Sequence, residues 1–480
     1  MRLGVKHQNQ QPIVRADFSG GLNTTANVDG IKENQLAVAI NVEVDHATGR
    51  LKTVAGTTDI LQFDNIFAAM YDEINHVLLL VKDDKTVYAV NSQLGISESL
   101  GTLSGNLYPK TASWEDGLLI ASGSKLQYFN GAELTTIDSS PNATSVYIRA
   151  GRVLVTEENT VRYSGVGDET NWTEDTNDDS SSKFVEAGYK DGGELIGMVN
   201  LSTDVLLIKN NRRVYRLSGE FPNWQINEVS RNVDVSGRMS YCAISSSVFI
   251  LGRNEVQTIQ TTADYGDMKP QDVSTLITSE IQKLPTNTFL RYVPPLSQIW
   301  AINGKEVLLF DLVTQSWYKR EFNSPVVDVI TINDNVMIIK HDRVSKLDNA
   351  TFYDAGEPLN WKWQGQQLLS QNDYLLKRTQ VSFTPLDRDL SIGQIRVGAV
   401  IVDLPAINST ATRRRFLTSK GVSIYKNTEL IYKNPQPIFN RPTTLVESRN
   451  VYRNKFLNIT GRGSHGGMIF NSIILTIAEV

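Results

Sequence analysis

The chain has 480 residues, of which 40% are hydrophobic and 21% charged, and its formal net charge is −5. This composition is typical of a globular protein with one large domain or two to four ordinary ones, and it excludes wholesale disorder. No window approaches 18 uninterrupted apolar residues, and the first residues lack the apolar segment of a signal peptide. We therefore expect neither a membrane span nor a secretory leader.

The charges are divided unevenly along the chain. From Ala355 onward lie 16 of the 47 basic and 8 of the 52 acidic residues, which leaves 31 basic and 44 acidic residues before it. The larger part is therefore acidic and the last part basic. This asymmetry predicts different neighbours for the two parts.

Helical periodicity is weak throughout the sequence. The best helical candidate is the short segment IKENQLAVAINVEV, residues 31–44. Runs of β-branched and aromatic residues between turn signals are much more frequent. We therefore predict an all-β protein.

One segment, DVLLIKNNRRVYRLSG at residues 204–219, shows the pattern that dominates the chain. An apolar run is followed by two asparagines, and then apolar and polar residues alternate, which predicts a β-hairpin because Asn tolerates the positive φ of tight turns. The same pattern recurs in HVLLLVKDDKTVYAVN from His76, GLLIASGSKLQYFNG from Gly117, GRVLVTEENTVRYSG from Gly151, SVFILGRNEVQTIQT from Ser247, QIWAINGKEVLLFDL from Gln298 and NVMIIKHDRVSKLDN from Asn335. The Asn303-Gly304 pair is the strongest hairpin dipeptide among them.

The spacing of these hairpins predicts the architecture. Their turns follow one another at intervals of about 35 to 52 residues, and a recurrence near 40 residues with paired strands is typical of a β-propeller blade. The first strand of each pair is continuously apolar, as expected for a strand buried on both faces. We predict a propeller of about six to seven blades over residues 61–357. An ordinary β-sandwich, or several small β domains, is the alternative.

The two ends of the chain lie outside this repeat. Residues 1–60 are predicted to help close the propeller, as the last strand of its first blade, and to form subunit contacts. After residue 357 strands such as VSFTPL and GMIFNSIILTI continue with irregular spacing. We predict a separate β-sandwich-like domain over residues 358–480.

Two charged segments are candidates for contacts with a partner. The stretch GDETNWTEDTNDDSSS contains six carboxylates that can line a passage for DNA and repel its phosphates: Asp168, Glu169, Glu174, Asp175, Asp178 and Asp179. The run TRRRF contains the basic residues Arg413, Arg414 and Arg415. This run is either a solvated loop or a contact with an acidic partner or nucleic acid.

Signatures of catalysis and of metal binding are missing from the sequence. It contains no HExxH, CxxC, GxxxxGK[ST] or GxSxG pattern, and its one cysteine, Cys242, cannot form an internal disulfide. The acidic stretch does not hold two carboxylates in different environments, as a catalytic pair requires, and its DTNDDSSS segment lacks the glycine and the late glutamate of a calcium loop. We predict a protein that is not an enzyme, with no catalytic residue, no metal ligand and no cofactor.

Three segments resemble the propeller proteins of short-tailed bacteriophage tails, which are called nozzle, tail-hub, tail tubular or packaged-DNA stabilisation proteins. They are DFSGGLNTTANVDGIKENQLAVAINVEVDHATGRLKTVAGTT from Asp17, VRYSGVGDETNW with the following residues from Gly193 to Ile259, and KFLNITGRGSHGGMIFNSIILTI from Lys455. None of the three is an active-site motif. Together they cover about a third of the chain.

The resemblance implies a non-catalytic structural protein of the virion, made in the cytoplasm of a host bacterium. Its copies would form a ring, a hexamer, below the portal and its adaptor or head-completion protein. The ring would enclose the exit channel of double-stranded DNA without reading its sequence, and would dock tail fibres, spikes or a distal plug. A glycan-processing propeller enzyme and a cellular propeller binding module are the alternatives.

Overall fold

The computed structural model describes residues 10–261, 268–286, 288–386, 392–404, 444–448, 452–464 and 467–479. Almost all of the regular structure in these ranges is β, as the sequence predicts. The exceptions are the one-turn helix α1 (Thr278–Ile281) and the 3₁₀ turns Thr275–Ile277 and Pro294–Leu296. None of these helices has the length or the hydropathy to cross a membrane.

Strands follow one another along the whole of the described chain. The first six are β1 (Gln10–Arg15), β2 (Gly21–Leu22), β3 (Gln35–Ile40), β4 (Val42–Asp45), β5 (Arg50–Thr53) and β6 (Gly56–Gln62). The next twenty are β7 (Ile66–Asp72), β8 (Val77–Lys82), β9 (Thr86–Val90), β10 (Ile96–Thr102), β11 (Lys110–Trp114), β12 (Gly117–Ala121), β13 (Gln127–Phe129), β14 (Leu134–Thr136), β15 (Val146–Arg149), β16 (Arg152–Glu157), β17 (Thr160–Tyr163), β18 (Lys183–Glu186), β19 (Leu195–Leu201), β20 (Asp204–Lys209), β21 (Val214–Ser218), β22 (Gln225–Ser230), β23 (Tyr241–Ile244), β24 (Ser247–Leu251), β25 (Val256–Thr261) and β26 (Met268–Asp272). The last are β27 (Phe289–Val293), β28 (Gln298–Asp311), β29 (Ser316–Ile332), β30 (Asn335–Lys340), β31 (Arg343–Asp348), β32 (Tyr353–Asp354), β33 (Glu357–Pro358), β34 (Trp361–Gly365), β35 (Leu368–Pro385), β36 (Ile392–Val397), β37 (Val400–Leu404), β38 (Thr444–Ser448), β39 (Tyr452–Leu457), β40 (Ile459–Ser464) and β41 (Met468–Glu479).

The chain divides into two compact units. The propeller unit contains Asp59–Gly304 and Pro325–Lys346, and the terminal unit contains Met1–Thr58, Lys305–Ser324 and Leu347–Val480. This division differs from the predicted boundaries, because residues 305–324 and 347–357 belong to the terminal unit and not to the propeller. The reason is that their strands pair with strands from the two ends of the chain, as β29 does with β3 at Lys319 and Ile40.

Six sheets of four antiparallel strands form the propeller unit. Sheets 1 to 5 are β7–β10, β11–β14, β15–β18, β19–β22 and β23–β26, each in simple chain order. Sheet 6 has the order β29, β30, β31, β6. Each of six predicted hairpins forms the two middle strands of a sheet, as in β8 with β9 and in β20 with β21.

The second strands of sheets 1 to 4 each pack against both neighbouring sheets. Leu79 faces Ile120 of sheet 2, while the next residue, Leu80, faces Ile339 of sheet 6. The same alternation continues with Leu119 and Val153 between sheets 2 and 3, Leu154 and Leu207 between sheets 3 and 4, and Leu206 and Ile250 between sheets 4 and 5. Successive side chains of a strand point to opposite faces, so a strand with a sheet on either side is apolar at every position.

Strand β27 completes the circle between sheets 5 and 6. The backbone N–H of Leu290 donates to the carbonyl of Met239 at 2.9 Å, which joins β27 to the segment entering β23. On its other side, Arg291 forms an ion pair with Asp328 of β29 at 2.7 Å. With sheet 6 also packed on sheet 1, the sheets form a closed ring, which is the arrangement of a β-propeller.

The predicted hairpin at Asn303-Gly304 is wrong. Gly304 has the positive φ expected of it, 57°, but the two apolar runs on either side form the single strand β28. The part of β28 up to Gly304 belongs to the propeller unit, where it pairs with β27, and the part from Lys305 belongs to the terminal unit. The dipeptide therefore marks the point where the chain leaves the propeller.

The helical candidate at residues 31–44 is also wrong, because this segment contains β3 and most of β4. Strand β3 pairs with β34 on one side and with β2 and β29 on the other. Leu36, Ala39 and Val42 are completely buried or nearly so. Backbone pairing on both sides and burial outweigh the local helical preference of the segment.

The terminal unit consists of two sheets packed face to face, which confirms the predicted sandwich-like architecture. One sheet has the order β38, β35, β41, β5, β4, and the other contains β37, β36, β40, β34 and β3. The rings of Trp361 and Trp363 on β34 lie 5.2 and 5.8 Å from the ring of Phe470 on β41. The ring of Phe18, from the N-terminal part of the chain, lies 5.7 Å from that of Trp363, so residues from both terminal parts share one aromatic core.

Strand β6 closes the propeller, since it is the outer strand of sheet 6 and comes from the N-terminal side of sheet 1. The N-terminal segment therefore closes the last blade in chain order, whereas the sequence predicts closure of the first. The Asp59 carboxylate accepts hydrogen bonds from Arg343 and from the Ser345 hydroxyl of β31, each at 2.7 Å. Both contacts hold the closing strand in register.

Replacing Asp59 with alanine is therefore expected to loosen the closure. The change removes two hydrogen bonds, one of them charge-assisted, and should lower the free energy of unfolding by about 1 kcal/mol. Asp64→Ala is the matched control, because Asp64 is exposed in the turn after β6. Denaturant unfolding followed by circular dichroism measures both; equal stability of the two variants would contradict this account of closure.

Candidate functional site

The first strands of the sheets line an open cavity of about 470 Å³ in the propeller unit. Its lining comes from β7, β11, β15, β19, β23, β27 and β29, so every sheet of the ring contributes. A site shared by all the sheets depends on the whole circle, and its volume lies within the range of about 300 to 1,000 Å³ that is usual for ligand pockets. We call it the axial cavity.

One part of the axial cavity is an ion pair with its own hydrogen-bonding partner. The guanidinium of Arg291 donates to both oxygens of Asp328, at 2.7 and 3.0 Å, and the Tyr108 hydroxyl donates to the same carboxylate at 2.5 Å. Burial opposes the charge of Arg291, but Asp328 holds the pKa of this guanidinium above its ordinary value. Burial and then Asp328 raise the pKa of Tyr108. This group is charge-balanced and fully bonded.

Lys110 and Arg238 form the second charged part of the cavity, and their described partners are neutral. The Lys110 ammonium donates to the carbonyl of Ile196 at 3.0 Å and to the Tyr241 hydroxyl, and lies 4.4 Å from the centre of the Tyr241 ring. Arg238 donates to the carbonyl of Thr144. Its Nε–H is buried without a hydrogen-bond partner in the part of the chain that the structure describes.

The pKa values of Lys110 and Arg238 are both lowered, as expected for cations without an acidic neighbour. Burial, with the nearby charges of Arg238 and Arg291, holds the pKa of Lys110 well below its ordinary value. Burial also lowers the pKa of Arg238. The other carboxylate of the lining, Glu73, is exposed to solvent and is not among the groups that shift either pKa. Two partly buried cations of the described lining, Lys110 and Arg238, thus lack an acidic partner, and an anion that binds beside them is stabilised by both charges.

Gly197 on β19 makes room for this arrangement. A Cβ atom at this position would lie 1.5 Å from the Tyr241 hydroxyl oxygen and 2.6 Å from the Lys110 nitrogen. Both groups therefore approach the backbone of β19 more closely than any side chain there would allow. The glycine thus determines where Lys110 and Tyr241 lie in the cavity.

The predicted acidic loop lies elsewhere. It joins β17, the third strand of sheet 3, to the outer strand β18, and none of its carboxylates lines the axial cavity. Four of these groups have partners within sheet 3 or its loop: Glu174 pairs with Arg162, Asp179 pairs with Lys183, and Asp168 and Asp178 accept from the backbone N–H groups of Thr170 and Ser180. Glu169 accepts from the indole of Trp114 in the neighbouring sheet 2. Asp175 accepts from the N–H of Asn177. A role of this loop beside DNA stays a prediction.

Hydrogen bonds within the loop also affect its titration. The Thr170 hydroxyl and backbone lower the pKa of Asp168, and Ser180 does the same for Asp178. Both carboxylates are therefore stabilised in the ionised form as parts of local turns. Arg413, Arg414 and Arg415 lie outside the described residues.

Sequence reasoning missed the axial cavity because its residues come from short strands of mixed polarity. Lys110 begins β11, KTASW, and Tyr241 begins β23, YCAI. The sequence nonetheless contains a pattern that locates these residues. Each such strand stands just before a predicted hairpin and pairs with its first strand, as Lys110 does with Ala121. The residues that meet at the axis are therefore those on the short strand just before each repeated hairpin.

Among the described residues no group of three or more His, Cys, Asp or Glu side chains is placed to hold a metal ion. The chemistry that the cavity offers is cationic donors beside phenolic hydroxyls. This set can bind and orient an anion.

The chain matches no protein-family model and no curated protein. Among solved structures, BamB from Moraxella catarrhalis is similar with a TM-score of 0.42 and 8% identity, over 62% of this chain and 90% of that one. The WD40 domain of Neurospora crassa Pan2 is similar with a TM-score of 0.40 and 9% identity, over 62% of this chain and 95% of that one. Its own ring of sheets makes this chain a β-propeller protein.

Changing Asp328 to asparagine tests the ion pair at the cavity wall. The variant leaves the Arg291 guanidinium without its counter-charge, so we expect the free energy of unfolding to fall by roughly 2 to 4 kcal/mol. Asp334→Asn, in the exposed turn between β29 and β30, is the control and should change it by less than about 0.5 kcal/mol. Equal urea midpoints for the two proteins would show that the pair does not stabilise the ring.

Replacing Gly197 with alanine tests the close approach at β19. The added methyl group must displace Tyr241 and Lys110, and we expect a loss of about 1 to 3 kcal/mol in stability. Gly365→Ala is the control, since a Cβ at that buried strand position meets its nearest atom at 3.9 Å. Thermal unfolding compares the two, and an unchanged midpoint for the Gly197 variant would refute the packing described above.

Proposed function

We propose that this chain is a non-catalytic structural protein of a bacteriophage tail, whose copies form a closed ring below the portal and its adaptor. The ring encloses the path of double-stranded DNA and docks fibres, spikes or a distal plug. It acts through shape and assembly and not through a chemical reaction. The observation that carries the proposal is the resemblance of three segments of the sequence to the tail nozzle proteins.

Two of those segments have related roles in the fold, which supports the proposal. The one from Asp17 contains β2 to β5, which build the terminal unit, and it leads into the closing strand β6. The one from Lys455 contains β40 and most of β41, which also build the terminal unit. Two of the three segments that resemble the family therefore build the terminal unit together, although one comes from the N-terminal part of the chain and the other from the C-terminal part.

The charge distribution is compatible with ring formation. A closed ring of identical subunits requires head-to-tail contacts between two different surfaces of each copy. The part of the chain before Ala355 is acidic and the part after it is basic. Surfaces of opposite charge in adjacent copies attract one another and select the head-to-tail orientation.

The mass of the purified full chain tests the proposal. We expect particles with a mass six times that of the 53.5 kDa chain, and ring-shaped class averages in negative-stain microscopy. Because the contacts would be partly electrostatic, the rings should dissociate more readily at high salt.

Two other outcomes would overturn the proposal. A protein that stays monomeric at all concentrations and captures a peptide or protein would be a propeller binding module. Hydrolysis of a glycan that is lost on changing one pair of buried carboxylates would identify an enzyme.

A further inference from the structure

The axial cavity holds more positive charge than its own residues neutralise. Asp328 is engaged by Arg291 and Tyr108, so it is not available to Lys110 or Arg238. Glu73, the other carboxylate of the lining, is exposed. What remains in the described lining is two cations held by carbonyl and phenol oxygens.

Both cations keep hydrogen-bond donors free for a ligand. A lysine ammonium has three N–H donors, and the described contacts of Lys110 use two of them, to Ile196 and Tyr241. An arginine has five donors, and Arg238 has one described hydrogen bond, to Thr144, while its buried Nε–H has none. The Nε–H is enclosed by protein atoms, so the donors that matter for a ligand are the remaining N–H groups of the partly buried Lys110 and Arg238 side chains.

The charge and volume of the cavity select the class of ligand. A phosphate group carries about −1.5 to −2 charges near pH 7 and presents several strong acceptor oxygens, so it matches two cations better than a single carboxylate does. The volume of about 470 Å³ leaves space for a small organic substituent beside the phosphate. A duplex of nucleic acid cannot enter a cavity of this size.

We propose that the axial cavity binds one phosphate group, as inorganic phosphate or as the phosphate of a small monoester, through Lys110 and Arg238 with the Tyr241 hydroxyl positioning Lys110. This site is independent of ring formation. It holds whether or not the chain is a phage tail protein.

Isothermal titration of the full chain with inorganic phosphate tests the site, with chloride of equal ionic strength as the reference. We expect saturable binding of one phosphate per chain and a rise in the thermal midpoint with phosphate concentration, because a ligand of the native state stabilises it. A parallel titration with a small alkyl phosphate monoester identifies the source: tighter binding of the monoester indicates an organic ligand, and tighter binding of phosphate indicates the free anion.

Variants assign the binding to the two cations. Lys110→Met and Arg238→Met should each weaken phosphate binding by about tenfold or more, since each removes a charge-assisted hydrogen bond. Tyr241→Phe, which keeps the ring, should weaken it by a smaller factor of about three. Lys269→Met is the control and should bind as the unchanged chain does, because Lys269 is exposed on β26, the outer strand of sheet 5.

Three results would overturn the proposal. The first is the absence of saturable binding to the unchanged chain, which decides the question even if a variant fails to fold. The second is weak uptake that Lys269→Met reduces as much as Arg238→Met does, which would mean nonspecific attraction to surface charge. The third is unaltered affinity in folded Lys110→Met and Arg238→Met proteins.

Discussion

The structure of this protein depends on one constraint: the second strand of each propeller sheet is covered on both faces by its neighbours. Leu79 and Leu80, adjacent in β8, pack against different sheets, and the same holds for the second strands of sheets 2 to 4. Burying such side chains contributes about 1.5 to 3 kcal/mol each, but only if every sheet has a neighbour on both sides. The ring must therefore close, and β6 completes the last sheet from the other end of the sequence. The hydrophobic core of the propeller therefore forms completely only when the ring is closed.

The same constraint leaves the first strands free to carry polar residues. They lie at the axis, where they face a cavity, while the apolar burial is supplied by the strands behind them. Lys110, Arg238, Tyr108 and Asp328 can be placed there because the ring behind them is already stabilised. Moving these charged groups out of water costs free energy. Hydrogen bonds across the axis offset part of this cost, as between Arg291 and Asp328. Lys110 and Arg238 have no acidic partner in the described lining that would offset theirs. A partly buried cation without a counter-charge is less well solvated than a fully exposed one, and an anionic ligand compensates for this.

The terminal unit, unlike the sheets of the propeller, is built from strands that are far apart in the sequence. Its two sheets combine strands from the beginning, the middle and the end of the chain, and their core is formed by Trp361, Trp363 and Phe470. The unit is assembled from three separate segments of the chain, Met1–Thr58, Lys305–Ser324 and Leu347–Val480. The residues of the proposed phosphate site all lie in the propeller unit.

The sequence by itself determined the strand content, the repeated hairpins and the approximate number of sheets. Strands buried on both faces must be continuously apolar, as in DVLLIK, and tight turns must use residues that accept positive φ, so both leave a local pattern. Where a local sequence pattern was compatible with two secondary structures, the tertiary structure determined which of them formed. Asn303-Gly304 is not a hairpin because β28 runs on into strands of the terminal unit, and residues 31–44 are not helical because partners on both sides pair with β3. The axial site was invisible for the same reason: Lys110, Arg238 and Asp328 are far apart in sequence, and their meeting depends on the closing of the circle, a long-range event that no short segment encodes.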